Sequence, residues 1–142
     1  MTVMDIGNSI VATSTILARN QGAGTVNGTG VDCHGASYAL CVVNCGELSG
    51  GADLLLTLQE SPDNVTFTTA KKLGTTNNAV FPTISVSNDN RTFIARINVN
   101  NVERYLRVKG FVDGGTVSAK YSVTIITVPD ATGAAADPEF SV

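Results

Sequence analysis

Residues 103–128 read ERYLRVKGFVDGGTVSAKYSVTIITV and determine the fold class of this chain. Apolar and polar side chains alternate with a period of two on both sides of Asp113-Gly114-Gly115, as in strands that bury one face. The two glycines supply the positive φ that a tight turn needs, so this tripeptide predicts a β-hairpin. The residues expected on the inner face are Leu106, Val108, Val112, Val117, Ala119, Tyr121, Val123 and Ile125.

The preceding sequence carries the same pattern in shorter pieces, separated by turn residues. Pro82 cannot donate a ladder hydrogen bond, so its segment belongs at an edge or a bulge. Residues 36–45 are apolar on both faces, as in a central strand. Further strands are expected over 53–60, 65–71, 79–86 and 91–99, with Leu54, Leu56, Leu58, Val65, Phe67, Phe93, Ala95, Ile97 and Val99 inward. We therefore predict an all-β fold, an antiparallel β-sandwich of jelly-roll or immunoglobulin-like type with about seven to eight strands and a body over 31–128.

The two ends of the chain differ from this body in composition. Residues 1–30 are expected to form an extended N-terminal arm followed by a linker, since 21–30 read QGAGTVNGTG and are rich in glycine. Residues 129–142 form a polar tail that ends in Phe-Ser-Val, which is either a frayed terminus or a tether that docks on a partner. The candidate partner-binding residues of the two ends are Ile6, Ile10, Val11, Ile16, Leu17, Phe140 and Val142.

The charge and hydropathy of the chain argue against two classes of partner. The formal net charge is −3, from 9 basic and 12 acidic residues, and Lys71-Lys72 is the one adjacent basic pair. Nucleic acid is therefore not an expected direct partner, because phosphate binding needs a clustered basic face. No apolar run is long enough to span a membrane, and the first residues do not resemble a signal peptide. We expect synthesis in the cytosol, where the sequons at Asn27, Asn64 and Asn90 are turn chemistry.

The residue types that catalysis and metal binding require are sparse. His34 is the single histidine, and no Gly-x-Ser-x-Gly motif or phosphate-binding glycine loop accompanies it. Cys33, Cys41 and Cys45 lack the paired C-x₂-C spacing of zinc sites and are expected to be buried thiols. Asp and Asn cluster at 61–64, 88–90 and 113, where turns are required. We expect no catalytic, cofactor or metal site and no enzymatic activity.

Three short motifs resemble a known class of virion protein. Gln59-Glu60-Ser61, Asp63-Asn64 and Thr66-Phe67 form the first group, Arg104 to Val108 (RYLRV) forms the second, and the Gly-Gly turn with the last strand forms the third. In this order they resemble the capsid decoration, or cement, proteins of tailed bacteriophages. The resemblance implies a homo-oligomer, often a trimer, that is made in the host cytoplasm and sits on the outer capsid surface. There it would bind the major capsid protein where subunits meet and stabilise the shell.

Two other functions remain open from the residues. The first is a carbohydrate-binding or adhesion module of the virion, because Tyr38, Tyr105 and Phe111 could offer rings for sugar stacking. The second is a structural protein of the phage tail or neck with the same fold. Trp is absent and aromatic residues make up only 6% of the chain, which weakens the carbohydrate hypothesis.

Overall fold

The protein is a sandwich of two antiparallel sheets. The structure, a computed structural model, describes residues 10–129. Sheet 1 has the strand order β1-β9-β4-β7; sheet 2 has the order β2-β8-β5-β6, and β3 also pairs with β8. The expected all-β sandwich is confirmed. The strands are β1 (Val11–Gln21), β2 (Gly24–Asn27), β3 (Val31–Asp32), β4 (Ala36–Ser49), β5 (Asp53–Ser61), β6 (Thr68–Thr69), β7 (Arg91–Asn98), β8 (Tyr105–Asp113) and β9 (Ser118–Pro129), and a single 3₁₀ turn spans Val99–Asn101.

The core between the sheets is filled by alternate residues of the four central strands. Because side chains in a strand point to opposite faces in turn, each strand contributes every second residue. Of the inner residues predicted in 103–128, all are buried except Val117, which is partly buried. In β4 only one face is buried, since Leu40 and Val42 on the other face are half-buried. The fully buried large side chains include Leu54, Leu56, Leu106, Val108, Val112, Val123 and Ile125.

A glycine in β8 makes room for a buried tyrosine from the opposite sheet. A Cβ atom at Gly110 would collide with the hydroxyl of Tyr121. That hydroxyl donates to Oε1 of Gln21, whose Nε2 donates to the carbonyl of Gly24 at 2.8 Å. Burial raises the pKa of Tyr121 to about 12, so the phenol stays protonated and remains a donor. These contacts satisfy the buried polar groups of Gln21 and Tyr121.

The turn at Asp113-Gly114-Gly115 joins the two sheets, so the predicted hairpin is wrong. β8 pairs with β5 on one side and with β2 and β3 on the other, whereas β9 lies between β1 and β4. Gly114 has the positive φ of 135° that the sequence predicted. Since both edges of β8 are already occupied, the chain after the turn crosses to the other sheet instead of folding back beside β8.

The boundary between arm and body at residue 30 also differs from the prediction. Residues 11–21 form β1, which pairs along its length with β9, and residues 24–27 form β2, which pairs with β8. The glycine-rich composition suggested a linker, but the backbone of Gly24 itself pairs with Val112. In the part of the ends that the structure describes, the chain is therefore integral to the sandwich.

The predicted strand over 65–71 is replaced mostly by a loop. Oδ1 of Asp63 accepts hydrogen bonds from the backbone N–H groups of Val65 and Thr66, both at 2.9 Å, which curls the chain away from β5. Val65, predicted to point inward, is exposed as a result. Phe67 is only partly buried and lies under the guanidinium of Arg107, 4.0 Å from its ring centre.

Pro82 lies at a sheet edge, as expected. Residues 79–84 run antiparallel to β5 through bridges that include Leu54 to Ile84. The N–H of Phe81 donates to the carbonyl of Leu56 at 2.9 Å, and Pro82 follows at a position exposed to solvent. The missing N–H of the proline therefore leaves no gap in the ladder.

One side of the sandwich is closed by hydrogen bonds between the sheets. Val108 of β8 pairs with Leu58 of β5, but on the other side of β8 it falls between β2 and β3 and has no strand partner there. On that side the N–H of Val108 donates to Oγ1 of Thr15 in β1 at 3.2 Å. The same hydroxyl donates to the carbonyl of Thr29 at 2.8 Å. The N–H of Gly28 donates to the carbonyl of Val108 at 2.8 Å. Thr15 thus replaces a missing strand residue, and we refer to Thr15, Gly28, Thr29 and Val108 as the seam.

Candidate functional site

The predicted partner-binding residues of the N-terminal end divide into exposed and buried ones. Leu17 is 74% exposed, Val11 is 56% exposed and Ile10 is 40% exposed. Ile16 is 2% exposed and belongs to the core, so its assignment to a partner surface is wrong. The predicted residues Ile6, Phe140 and Val142 lie outside the described residues.

The burial of Ile16 follows from two irregularities in β1. The register with β9 shifts between Ser14 and Ile16 and again between Ile16 and Arg19, so each shift inserts one extra residue. The first bulge turns both Thr15 and Ile16 inward, and the second leaves Leu17 outside. A period of two cannot predict this, because a bulge changes the face of every residue after it.

The outer edge of β1 is a candidate surface for a protein partner. Among the described strands β1 pairs with β9 alone, so its other backbone edge has no strand beside it, although the N–H of Thr29 donates to the carbonyl of Thr15 on that edge at 2.7 Å. Residues 11–14 keep a regular register, and Val11 and Leu17 expose apolar side chains along the strand. Such an edge can accept an extended segment through main-chain hydrogen bonds, while the side chains supply apolar contact.

A second surface lies on the opposite, open side of the sandwich. A groove of about 300 Å³ runs between the free edge of β7 and the edge segment 71–82 of sheet 2, and we call it the β7 groove. Its wall on β7 includes Ile94, which is 62% exposed, and Ile97, which is buried. Its opposite wall includes Val80 and Phe81. The seam closes the other side of the sandwich, but no comparable hydrogen bonds between the sheets close this one in the described range.

The charges around the β7 groove have one sign. Lys71, Lys72 and Arg96 line it, and none of its lining residues is acidic. Nζ of Lys71 donates to Oδ1 of Asn78 at 2.6 Å, which holds this ammonium at the rim. Apolar walls with a cationic rim favour a segment that is apolar and acidic.

The three thiols are buried and free, as expected for structural cysteines. Burial raises the pKa of Cys41 to about 12. Burial and then the charge of Asp32 raise the pKa of Cys33 to about 11, and burial also raises the pKa of Cys45. His34 is exposed, and within residues 10–129 no three metal-ligand residues come together. A thiolate, the form that attacks and binds metals, is therefore disfavoured at all three positions.

We expect the folded protein to resist thiol reagents. With pKa values of about 11 and 12, Cys33 and Cys41 carry almost no thiolate at pH 8, and their sulfurs lie inside the core. Titration with an aromatic disulfide reagent at pH 8 should label the native chain at least about a hundredfold more slowly than the chain in denaturant. Fast labelling of one thiol in the native protein would show that its site opens to solvent.

The Asp and Asn clusters hold loops in place. Asp63 accepts from the N–H groups of two residues and from the hydroxyl of Ser61, and the pKa of its carboxyl is lowered by these bonds. Oδ2 of Asp89 accepts from the N–H of Leu48 at 2.8 Å. Asn64 and Asn90 adopt positive φ values of 60° and 52°, as turn residues do. These side chains therefore have a structural use in the turns at 61–64 and 88–90.

The aromatic residues considered for sugar stacking do not form one platform. Tyr38 is on β4 of sheet 1, whereas Tyr105 and Phe111 are on β8 of sheet 2. Six residues along a strand separate Tyr105 from Phe111, which corresponds to about 20 Å. The guanidinium of Arg104 lies over the Tyr105 ring, 5.1 Å from its centre. The placement of these rings does not favour the carbohydrate hypothesis.

Two of the three motif groups that carry the phage resemblance meet at one corner of sheet 2, whereas the third, the Gly-Gly turn with the last strand, leads into β9 of sheet 1. Arg107 pairs with Gln59 across β8 and β5, and its Nε donates to Oε1 of Gln59 at 2.9 Å. Its guanidinium covers Phe67, and Ser61, which is buried, donates to Asp63 at 2.8 Å. These residues stabilise the turn after β5, so the motifs describe a piece of the fold and not a partner surface.

Sequence comparison gives no relatives for this chain. No family model matches it, and no curated protein matches its sequence at a significant level. In the described range, no helix is long and apolar enough to cross a membrane.

Proposed function

We propose that the protein is a non-catalytic structural protein of a tailed-phage virion that decorates the outside of the capsid. The observation that carries the proposal is the free edge of β1, where Leu17 is 74% exposed and Val11 is 56% exposed. In this proposal the major capsid protein lays an extended segment against this edge and covers both side chains. The motifs in sheet 2 that resemble cement proteins support the same assignment, and they add the expectation of a homo-oligomer such as a trimer.

The energetics of such an edge suit a repeated, symmetric shell. Full burial of one leucine side chain stabilises a complex by about 1.5–3 kcal/mol, so the contact of a single copy is weak. Copies joined in an oligomer bind several capsid subunits at once, and their effective concentration raises the overall affinity without new contacts. A rigid sandwich with an apolar edge strand is sufficient for this role.

The proposal predicts that Leu17→Asp abolishes capsid binding while the chain stays folded. The substitution removes about 1.5–3 kcal/mol of apolar contact and forces a carboxylate toward the interface, so occupancy should fall by more than tenfold. The measurement is cosedimentation of the purified protein with phage heads that lack it, followed by release of DNA from these heads on heating. Heads with the parent protein should retain DNA to a higher temperature than heads with Leu17→Asp.

Val86→Asp is the matched control, because Val86 is an equally apolar, exposed residue in a loop far along the chain from β1. It should bind heads like the parent. Equal occupancy of heads by the parent and Leu17→Asp would exclude the β1 edge as the contact. Binding to purified tails or necks, with no binding to heads, would assign the protein to those parts of the virion instead.

A further inference from the structure

The β7 groove has features of a peptide site that the described residues leave empty. Along β7, residues 94–98 line the groove, and the strand pairs only with β4 in the described sheet. The outer backbone edge of β7 therefore offers unpaired N–H and C=O groups beside an apolar groove. A volume of about 300 Å³ is at the lower limit of small-molecule pockets and suits one or two side chains of a peptide.

We propose that the β7 groove binds the C-terminal segment 137–142 of the same chain, with Phe140 as its anchor. The sequence of this segment is DPEFSV. In an extended conformation Phe140 and Val142 share one face, while Asp137 and Glu139 share the other. The apolar face matches the walls formed by Ile94, Val80 and Phe81 in the groove. The inference does not rest on the proposed function, since it concerns a contact within one chain.

The negative charge of the C-terminal residues supports segment 137–142 as the occupant of the β7 groove. Residues 130–142 contain Asp130, Asp137 and Glu139 and no Lys or Arg, so the segment carries the full net charge of −3 of the chain. The rim of the groove carries Lys71, Lys72 and Arg96 and no carboxylate. Opposite charges at a solvent-exposed rim add little energy but select the register of the docked segment.

The connection from the fold is short enough. Tyr38 of β4 pairs with Asn98 of β7 on one side and with Val128 of β9 on the other, so Pro129 leaves the sheet at the same end as Asn98. A strand added at the outer edge of β7 lies three strand spacings, about 14 Å, from β9, and seven extended residues span up to about 23–25 Å. Residues 130–136 can therefore pass the ends of β4 and β7, and residues 137–142 would return antiparallel to β7.

The short connection also selects the same chain over a second copy. A flexible link of a few residues holds a segment at a millimolar effective concentration near its site. At micromolar protein the segment of another copy competes poorly with this. Docking in this arrangement adds a strand to β7 and covers the exposed apolar side chain of Ile94.

The test compares Phe140→Ala with Ser141→Ala in the full chain by amide NMR. Ser141 faces away from Phe140 in an extended segment, so its variant is the matched control. Phe140→Ala should shift the amide signals of residues 94–97 and of Val80, and speed hydrogen exchange in β7 at least about tenfold. Ser141→Ala should leave both unchanged. Glu139→Lys should have part of the effect of Phe140→Ala, and the second substitution Lys72→Glu should restore the parent signals.

Two results would overturn the proposal. The first is a Phe140→Ala spectrum that matches Ser141→Ala throughout the groove. The second is groove signals that move between low and about tenfold higher protein concentration, together with a rise in sedimentation mass, because the occupant would then be a second copy. Ile94→Glu provides an independent check, since it places an acidic side chain on an exposed wall position. It should mimic Phe140→Ala at Val80.

Discussion

Thr15→Val should lower the free energy of unfolding by about 2–4 kcal/mol, although the two side chains have nearly the same shape. The hydroxyl of Thr15 accepts from the N–H of Val108 at 3.2 Å and donates to the carbonyl of Thr29 at 2.8 Å. Valine can do neither, so the buried N–H of Val108 and the partly buried carbonyl of Thr29 lose their partners. Each unsatisfied buried group costs about 1–3 kcal/mol, which makes the loss larger than that of a typical surface substitution.

Two further variants separate the hydroxyl from other effects of the site. Thr15→Ser keeps both hydrogen bonds and should lose clearly less stability than Thr15→Val. Thr13→Val changes an exposed threonine of the same strand and should stay within about 0.5 kcal/mol of the parent. The measurement is equilibrium unfolding in urea, with the midpoint and slope compared among the variants. If Thr15→Val and Thr13→Val have equal midpoints, the seam does not hold the sheets together.

The central strands could be predicted from the sequence because each buries one face. In β5, β8 and β9 apolar residues recur at every second position because one side meets the core and the other faces outward, and the exceptions include Leu55, Phe111 and Ile126. The pattern therefore gives the strands, their inward residues and the sandwich class. The N-terminal residues Val11, Ile16 and Leu17 were all placed outside the core; Val11 and Leu17 are exposed, whereas Ile16 is buried.

The pairing of strands could not be predicted, because the alternation of apolar and polar residues does not show which strands lie next to each other. The turn at Gly114 has the conformation expected of a hairpin, yet β8 and β9 belong to different sheets. The two bulges of β1 could not be predicted from the sequence either, since they depend on the contact of Thr15 with the gap between β2 and β3. Val108, which faces Thr15 at that gap, is 93 positions away along the chain.

The β7 groove was missed for a related reason. Its walls come from residues 71–73, 79–82 and 94–98, and in the sequence these are an exposed loop, an edge segment and a strand. None of these three segments has a sequence pattern that by itself indicates a groove. Only the pairing of 79–84 with β5 brings Val80 to the same groove as Ile94. The adjacent basic pair Lys71-Lys72 was the one local signal in the sequence.

Gly28→Ala should have the second large effect, a loss of about 3–4 kcal/mol and a fall of about 10 °C in the melting temperature. A Cβ atom at Gly28 would lie 2.7 Å from the carbonyl oxygen of Val108 and 2.8 Å from that of Thr15, and it would also collide with Oγ1 of Thr15. Two of these three atoms belong to the backbone of different sheets, so relief requires the sheets to separate. That movement breaks the hydrogen bond from the N–H of Gly28 to Val108.

The backbone origin of this clash makes the prediction specific. If the hydroxyl of Thr15 caused the strain, Thr15→Ala would restore the stability that Gly28→Ala loses. Since the two carbonyl oxygens remain in place, we expect the double variant Thr15→Ala/Gly28→Ala to be less stable than either single variant. Gly115→Ala is the control, because a Cβ atom there has no neighbour within 4 Å. Thermal unfolding followed by circular dichroism gives the comparison. If Gly28→Ala and Gly115→Ala have the same melting temperature, β1 and β8 approach each other less closely than the seam requires. The loss of unfolding free energy predicted for Thr15→Val would then also be smaller.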